Sequence, residues 1–253
     1  MFWYIFCQGS LLLSDKKEIP FGERPPVALE PWHTKIQLPS LDEETCCAVA
    51  IDNPIVLEGW RMVALRESFD LLSAPHYRMA GKAAELLYWD ANTKFCGVCG
   101  GTMKFHTEIS KRCTNCGKEV WPQLATAVIV AITRNEGKEI LLVRAKNFRG
   151  NYYGLVAGFV ETGETLEEAV CREAAEETGL ELRNVSYFGS QPWPYPCGLM
   201  VGYTAEYASG VLRLQHSELS DAGWYSLNNL PDIPGKVSLA RQLIDHWKSK
   251  LQP

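Results

Sequence analysis

Apolar positions along this chain switch between a period of two and a period near 3.6. From Phe2 to Leu13 they run almost unbroken except at Gln8-Gly9-Ser10, a pattern of two strands in a hairpin turning at Gly9-Ser10. "AVAIDNPIVLEGWRMVAL", residues 48–65, alternates enough for two more strands, with a turn at Asp52-Asn53-Pro54. "APHYRMAGKAAELLYWDANT" then changes to helical spacing, with Met79, Ala83, Leu86 and Leu87 on one face and Asn92 near the end. Further on, "TAVIVAIT" and "EILLVRA" are strand-like and joined by the loop "RNEGK". "GLMVGYTAEYA" and "GWYSL" predict later strands. A last helix over roughly 236–250 places Val237, Ala240, Leu243, Ile244 and Trp247 on one face. The pattern is mixed α+β: an N-terminal α/β domain over 1–93, a small middle segment over 94–121 and a larger α/β domain over 122–253.

Composition adds limits. The chain has 253 residues, 46% hydrophobic and 22% charged, which is globular composition with room for one large or two modest domains. Its net charge of −5 gives no overall basic field for nucleic acid. The apolar start lacks a basic leader and is interrupted at Gln8, so no signal peptide is expected. No run reaches the 18 or so apolar residues of a membrane span. Nine cysteines, an odd number with scattered singles, fit a reducing cytoplasm better than a secreted disulfide framework.

Four of those cysteines form a pattern. Cys96-x-x-Cys99 and Cys113-x-x-Cys116 are each followed by glycine and lie 13 residues apart. Such knuckles aim paired sulfurs at one point, and four thiolates suit a closed, structural Zn²⁺ site. A redox pair or four unrelated core cysteines are the plain alternatives, and iron in a rubredoxin-like site is the alternative metal.

Residues 158–181 hold eight acidic residues and one basic residue, Arg172. Thr165 and Glu168 form a capping box, and Gly179 is a natural helix stop. Leu166, Ala169, Val170 and Ala174 give the helix an apolar stripe. Glu173, Glu176 and Glu177, at offsets of three and four, share one face within about one turn. Carboxylates this close need a cation among them. They suit Mg²⁺ or Mn²⁺, which also bring phosphates. A surface helix rich in glutamate is the other reading of the composition. A second feature, "SQPWPYPCGLM" at 190–200, is stiffened by Pro192, Pro194 and Pro196, with Trp193 and Tyr195 offering flat faces to a planar base. A packed Pro-rich connector is its plain alternative.

Gly158-x5-Glu164-x7-Arg172-Glu173-Ala174-Ala175-Glu176-Glu177-Thr178-Gly179-Leu180 resembles the Nudix box at every fixed polar and glycine position. Ser190-Gln191-Pro192-Trp193-Pro194-Tyr195-Pro196 downstream is similar to the signature of the NADH pyrophosphatase family of Nudix hydrolases. It departs from that signature at Tyr195, usually Phe, and at Gly198, usually Ser. The resemblance implies an N-terminal NADH-pyrophosphatase-like domain over 1–93, a zinc ribbon over 94–121 and a Nudix hydrolase domain over 122–253, an α/β/α sandwich with a mixed sheet. It implies metal-dependent cleavage of NAD(H) to NMN(H) and AMP, extending to NAD caps on RNA, by a homodimer. Carried over by position, Mg²⁺ or Mn²⁺ would be held by Glu173, Glu177, Glu218 and the carbonyl of Ala157. Glu176 and Arg172 complete the catalytic set, with Glu177 the preferred base. Substrate would meet Gln191, Pro192, Trp193, Pro194, Tyr195, Pro196, Cys197, Gly198, Phe159 and Ala240. Glu108, Trp121 (usually Tyr) and, on a looser match, Arg66 complete the implied contacts. The same residues leave room for a hydrolase of ADP-ribose or another dinucleotide. A zinc-ribbon module that only binds RNA ends is the reading outside enzymes.

Overall fold

The computed structural model describes residues 1–146 and 150–251, so the expected domain end at 253 lies outside the described residues. The chain divides into two compact units. The first is Met1–Leu124 with Trp193–Cys197, and the second is Ala125–Pro192 with Gly198–Pro253.

In the first unit, strands β1 (Phe2–Cys7), β2 (Ser10–Ser14), β3 (Lys35–Leu41), β4 (Glu44–Ala50) and β5 (Trp60–Ala64) form a sheet in the order β3-β4-β1-β2-β5. Only the central β1–β4 pair is parallel. Period two sorts its side chains. Tyr4, Phe6, Leu11 and Leu13 face helix α1 (Ala74–Asn92), which contributes Ala80, Ala83, Leu86 and Leu87 to the same core. Trp3, Ile5 and Leu12 face the other way, under Val27 and Leu29. The hairpin turns one residue earlier than expected, at Gln8-Gly9, since Cys7 pairs with Ser10. Both turn residues have positive φ, 48° and 78°, as a two-residue type I′ turn requires.

The ribbon follows, with β6 (Met103–Thr107), β7 (Ser110–Cys113) and β8 (Glu119–Val120). Gly100 and Gly117, each one residue past a Cys-x-x-Cys pair, have φ of 70° and 75°. This left-handed conformation favours glycine and lets each knuckle close. Lys111 carries no local sequence signal. Its ammonium is 2% exposed, lies 2.6 Å from Asp90 Oδ1 and donates to the carbonyls of Asp90 and Thr93. The rings of Trp89 and Phe105 flank it. One buried ion pair thus fastens the ribbon to the end of α1.

The second unit is a mixed sheet of β9 (Ala125–Arg134), β10 (Glu139–Ala145), β11 (Val156–Phe159), β12 (Leu180–Trp193), β13 (Gly198–Gly210) and β14 (Leu219–Ser226). The order is β12-β13-β9-β10-β14, with β11 also on β9. β13 runs parallel to β9, whereas β10 and β11 run antiparallel to it. Val128, Val130 and Ile132 of β9 face α2 (Leu166–Thr178). Ile129 and Ala131 face α3 (Leu239–Leu251) through Leu243, Ile244 and Trp247. Alternation along one strand therefore buries a helix on each side, giving an α/β/α sandwich. Helix α3 begins at Leu239, so Val237, expected on its face, lies just outside it. The Pro-rich segment also differs from expectation. Ser190 to Trp193 finish strand β12, and only Pro194–Cys197 form a turn. No helix among the described residues is long and apolar enough to cross a membrane.

Candidate active site

Helix α2 starts where its capping box requires. The Thr165 side chain accepts from the Glu168 backbone, and the Glu168 carboxylate accepts from the Thr165 N–H. It stops at Gly179, whose φ of 71° is left-handed. The apolar stripe holds the helix on the sheet, and Glu173 and Glu177 are buried on that same side, with Glu173 against β11.

Arg172 organises them. Its guanidinium grips both oxygens of Glu164 and donates to Glu173 Oε1 at 2.9 Å, Glu176 Oε2 at 3.0 Å and the Phe159 carbonyl at 2.9 Å. Only a planar fork with several donors can serve so many acceptors at once. Arg172 holds the Glu164 carboxyl down to about 2. The anion is thereby fixed in the loop that precedes the helix.

Glu173 is buried and lies directly on β11. A Cβ placed on Gly158 would come within 2.0 Å of the Glu173 carboxyl carbon. The first glycine of the motif is therefore a packing requirement of that carboxylate. Glu177 is 5% exposed, and its Oε2 is buried with no hydrogen-bond partner. Burial pushes its pKa up to about 8, reinforced by the charges of Glu173, Glu218 and Glu176. Burial also raises Glu173.

Glu177, exposed Glu218 and Ala157 line one cleft of about 280 Å³, with Lys146, Leu155 and Ser217. Backbone bonds assemble it: Gln215 N–H donates to the Glu177 carbonyl, and Lys146 N–H to the Glu218 carbonyl. The carboxylates do not converge to chelating distance. Among the described residues, only the four ribbon cysteines place three or more such ligand atoms within 4.8 Å of one another. Like charges facing each other separate, and an orphaned buried carboxylate oxygen among acidic neighbours is the donor set a hard divalent cation suits.

The ribbon sulfurs fit a metal more tightly. Cys96 and Cys116 Sγ lie 3.7 Å apart, and Cys99 and Cys113 Sγ 3.5 Å apart. A tetrahedral ion with bonds of about 2.3 Å spaces its sulfurs by about 3.8 Å. Backbone N–H groups aimed at Cys113 and Cys96 hold both thiols below their usual range, toward thiolate. A Cβ on Gly101 would lie 3.0 Å from Cys113 Sγ, so that glycine also makes room for the cluster.

The remaining residues singled out in the sequence separate between the units. In the second unit, Phe159 is 66% exposed, Pro192 is exposed and Gly198 opens β13. Gln191 donates to the Val237 carbonyl at 2.6 Å, while its own Oε1 is buried without a partner. Ala240 packs into the α3 core and leaves its side chain little surface for a ligand. In the first unit, Glu108 is exposed at the ribbon turn. Trp121 and Cys197 line a cleft of about 300 Å³ with Tyr88 and Trp89. Trp193 and Tyr195 each have a face against the Arg66 guanidinium, at 4.9 and 4.8 Å from the ring centres. The Tyr195 hydroxyl is bonded to that of Tyr77 at 2.7 Å. Pro194 is buried and Pro196 exposed, and a Cβ on Gly81 of α1 would lie 3.2 Å from the Pro194 ring. The aromatic faces expected to be open to a base are thus partly occupied by an arginine.

The mixed sheet between two helices, with a carboxylate helix beside β11, defines a Nudix hydrolase domain, and residues 123–247 match the NUDIX domain family. Residues 2–89 match the NADH pyrophosphatase-like rudimentary NUDIX domain. Similarity extends over most of the chain to proteins named NAD-capped RNA hydrolase NudC. That of Pseudomonas aeruginosa strain LESB58 is 39% identical, covering 87% of this chain and 81% of the relative. That of Deinococcus radiodurans is 37% identical, covering 96% and 86%. That of Haemophilus influenzae strain PittEE is 38% identical, covering 96% and 91%. The chain belongs to the NudC/NADH pyrophosphatase family of Nudix hydrolases.

Proposed function

We propose that this chain hydrolyses the pyrophosphate of NAD(H) to NMN(H) and AMP, and by the same cleavage releases NMN from NAD-capped RNA, leaving a 5′-monophosphate. The observation that carries the reading is the single face of α2 on which Arg172 fixes Glu173 and Glu176 beside buried Glu177, facing Glu218 across one cleft. The curated relatives act on NAD-capped RNA by name, and the Ser190–Pro196 motif supports the same substrate class.

Glu173, Glu177, Glu218 and the Ala157 carbonyl would hold Mg²⁺ or Mn²⁺, which neutralises phosphate charge and makes water more acidic. Glu177 would accept the proton of the attacking water. Arg172 keeps Glu173 and Glu176 in place through the reaction, and Glu164 anchors Arg172. Cys96, Cys99, Cys113 and Cys116 would hold one Zn²⁺ by four thiolates, a closed site that would serve folding and not chemistry. A second copy of the chain completes a homodimer, which light scattering would test directly.

The experiment is steady-state kinetics on NADH, NAD⁺, NAD-capped RNA and ADP-ribose with Mg²⁺ and with Mn²⁺. Higher kcat/KM on the NAD-containing substrates supports the reading. A preference for ADP-ribose would replace it with the broader Nudix one. Binding of RNA ends without product release would make the chain a recognition module.

A further inference from the structure

One cation of the carboxylate cleft has no role so far. Lys146 follows the last residue of β10 and lines the cleft with Glu177, Glu218, Ser217 and Ala157. Strand pairing is irregular beside it. Arg144 pairs with Asp221 but Ala145 pairs with Leu219, leaving Ser220 as an extra residue on β14. The Ser220 hydroxyl closes the bulge on the Arg144 carbonyl at 2.9 Å. A bulge bends the strand that carries it, here β14, just after Ser217 and Glu218. At this strand end, consecutive Ala145 and Lys146 both border the cleft together with Val143. The Lys146 backbone donates to the Glu218 carbonyl at 2.8 Å, which fixes where the side chain starts.

Among the described residues the Lys146 ammonium forms no ion pair within 4.0 Å, although Glu177 and Glu218 line the same cleft. Lys146 is exposed, and an unpaired cation bordering a carboxylate cleft weakens divalent-metal binding, since it repels the ion that the carboxylates attract. It is useful only if the cleft receives more negative charge than the metal cancels. A pyrophosphate brings that charge, and breaking the anhydride concentrates it on the leaving phosphate oxygen.

We propose that Lys146 is a phosphate ligand of this cleft, its ammonium meeting the phosphate oxygen that gains charge as the P–O bond breaks. The inference rests on the hydrolysis proposed above. The bond from phosphorus to the bridging oxygen breaks, that oxygen keeps the electron pair, and the attacking water supplies the new P–O bond and loses a proton to Glu177. Lys146 exchanges no proton in the step; it supplies positive charge only.

The test is Lys146→Met, which keeps the length of the side chain and removes the charge, with Lys146→Arg as the rescue variant. Two quantities are read on each protein: Mn²⁺ affinity by titration without substrate, and kcat/KM on NADH. A phosphate-binding Lys146 predicts opposite signs. Lys146→Met should bind Mn²⁺ about three- to tenfold more tightly, because a repelling charge is gone. Its kcat/KM should fall about 10- to 100-fold, and Lys146→Arg should recover most of that. A structural lysine would move neither, or would lower both with the melting temperature; either result overturns the proposal. Tighter Mn²⁺ binding with unchanged kcat/KM also overturns it, because the charge then touches the metals alone. If the parent releases no AMP from NADH, the hydrolysis reading fails at that control. The proposal then stands or falls on inorganic pyrophosphate, whose binding in Mn²⁺ should weaken at least fivefold in Lys146→Met.

Discussion

Glu177 is asked to be two incompatible things, buried and charged. Its folded-state pKa of about 8 lies above the ordinary carboxylate value of 4.5, so the folded metal-free protein holds this proton more tightly than the unfolded chain does. The sign follows from linkage. Its contribution to stability is fully present below about pH 4.5 and is lost as pH rises through about 8. The metal-free protein should therefore lose melting temperature between pH 5 and 8 by this group, at roughly 2–4 °C per kcal/mol for a chain of this size. Divalent metal should restore stability more at pH 8 than at pH 6. Glu177→Gln should flatten the metal-free profile and lower kcat at least about a hundredfold. Differential scanning fluorimetry across pH, with chelator or Mn²⁺, reads the first two outcomes. A second prediction belongs to Gly158. With the Glu173 carboxyl 2.0 Å from where a Cβ would sit, Gly158→Ala displaces that carboxylate or β11. Mn²⁺ affinity should drop with little loss of secondary structure, and unchanged affinity would contradict the packing argument.

Elements differ in how legible they were, and the reason is range. The capping box, Gly179 stop and carboxylate face of α2 are set by residues within a few positions of one another, so spacing alone located them. The Cys-x-x-Cys knuckles are local in the same way. The end of β12 was not. Asn184, Gly189 and Pro192 are poor strand formers, and pairing with β13 overrides them. The hairpin turn slipped by one because Gln8 adopts a φ of 48°, which nothing in its side chain favours. Arg66 meeting Trp193 and Tyr195, and Lys111 meeting Asp90, are contacts between distant positions that no local pattern announces. Each carries a prediction. Lys111→Met leaves a buried carboxylate with Lys94 as its remaining partner, and should cost about 3 kcal/mol in denaturant unfolding. Trp193→Ala removes a stacking face and should raise KM for NADH more than it lowers kcat, with a loss of about 1–3 kcal/mol. If its face serves Arg66, the double variant with Arg66→Ala will lose no more than either single variant. Fully additive losses would mean that the ring and the arginine act separately.

At the scale of the molecule, two elaborations of one idea share the chain. The N-terminal 2–89 region is a rudimentary NUDIX domain, with a five-stranded sheet and one long helix. Its helix α1 has Ala80, Ala83, Leu86 and Leu87 where packing demands them and no carboxylate cluster like that of α2. Hydrophobic patterning identified it only as an α/β domain, because the residues that make the Nudix pattern recognisable are the carboxylates, arginine and glycines of the 158–180 motif. The ribbon's four cysteines should carry one zinc per chain, measured by elemental analysis, and Cys113→Ser should melt well below the parent.

The account's central claim is that the carboxylate face of α2 is a metal-dependent catalyst acting on the pyrophosphate of NAD(H). Chromatographic detection of AMP and NMNH from NADH, with and without chelator, tests it on the parent and on Glu177→Gln. The account predicts equal amounts of the two products from the parent with Mg²⁺ or Mn²⁺, none with chelator, and at least about a hundredfold less from Glu177→Gln. AMP release that persists in chelator, or a Glu177→Gln protein as fast as the parent at saturating metal, would contradict it.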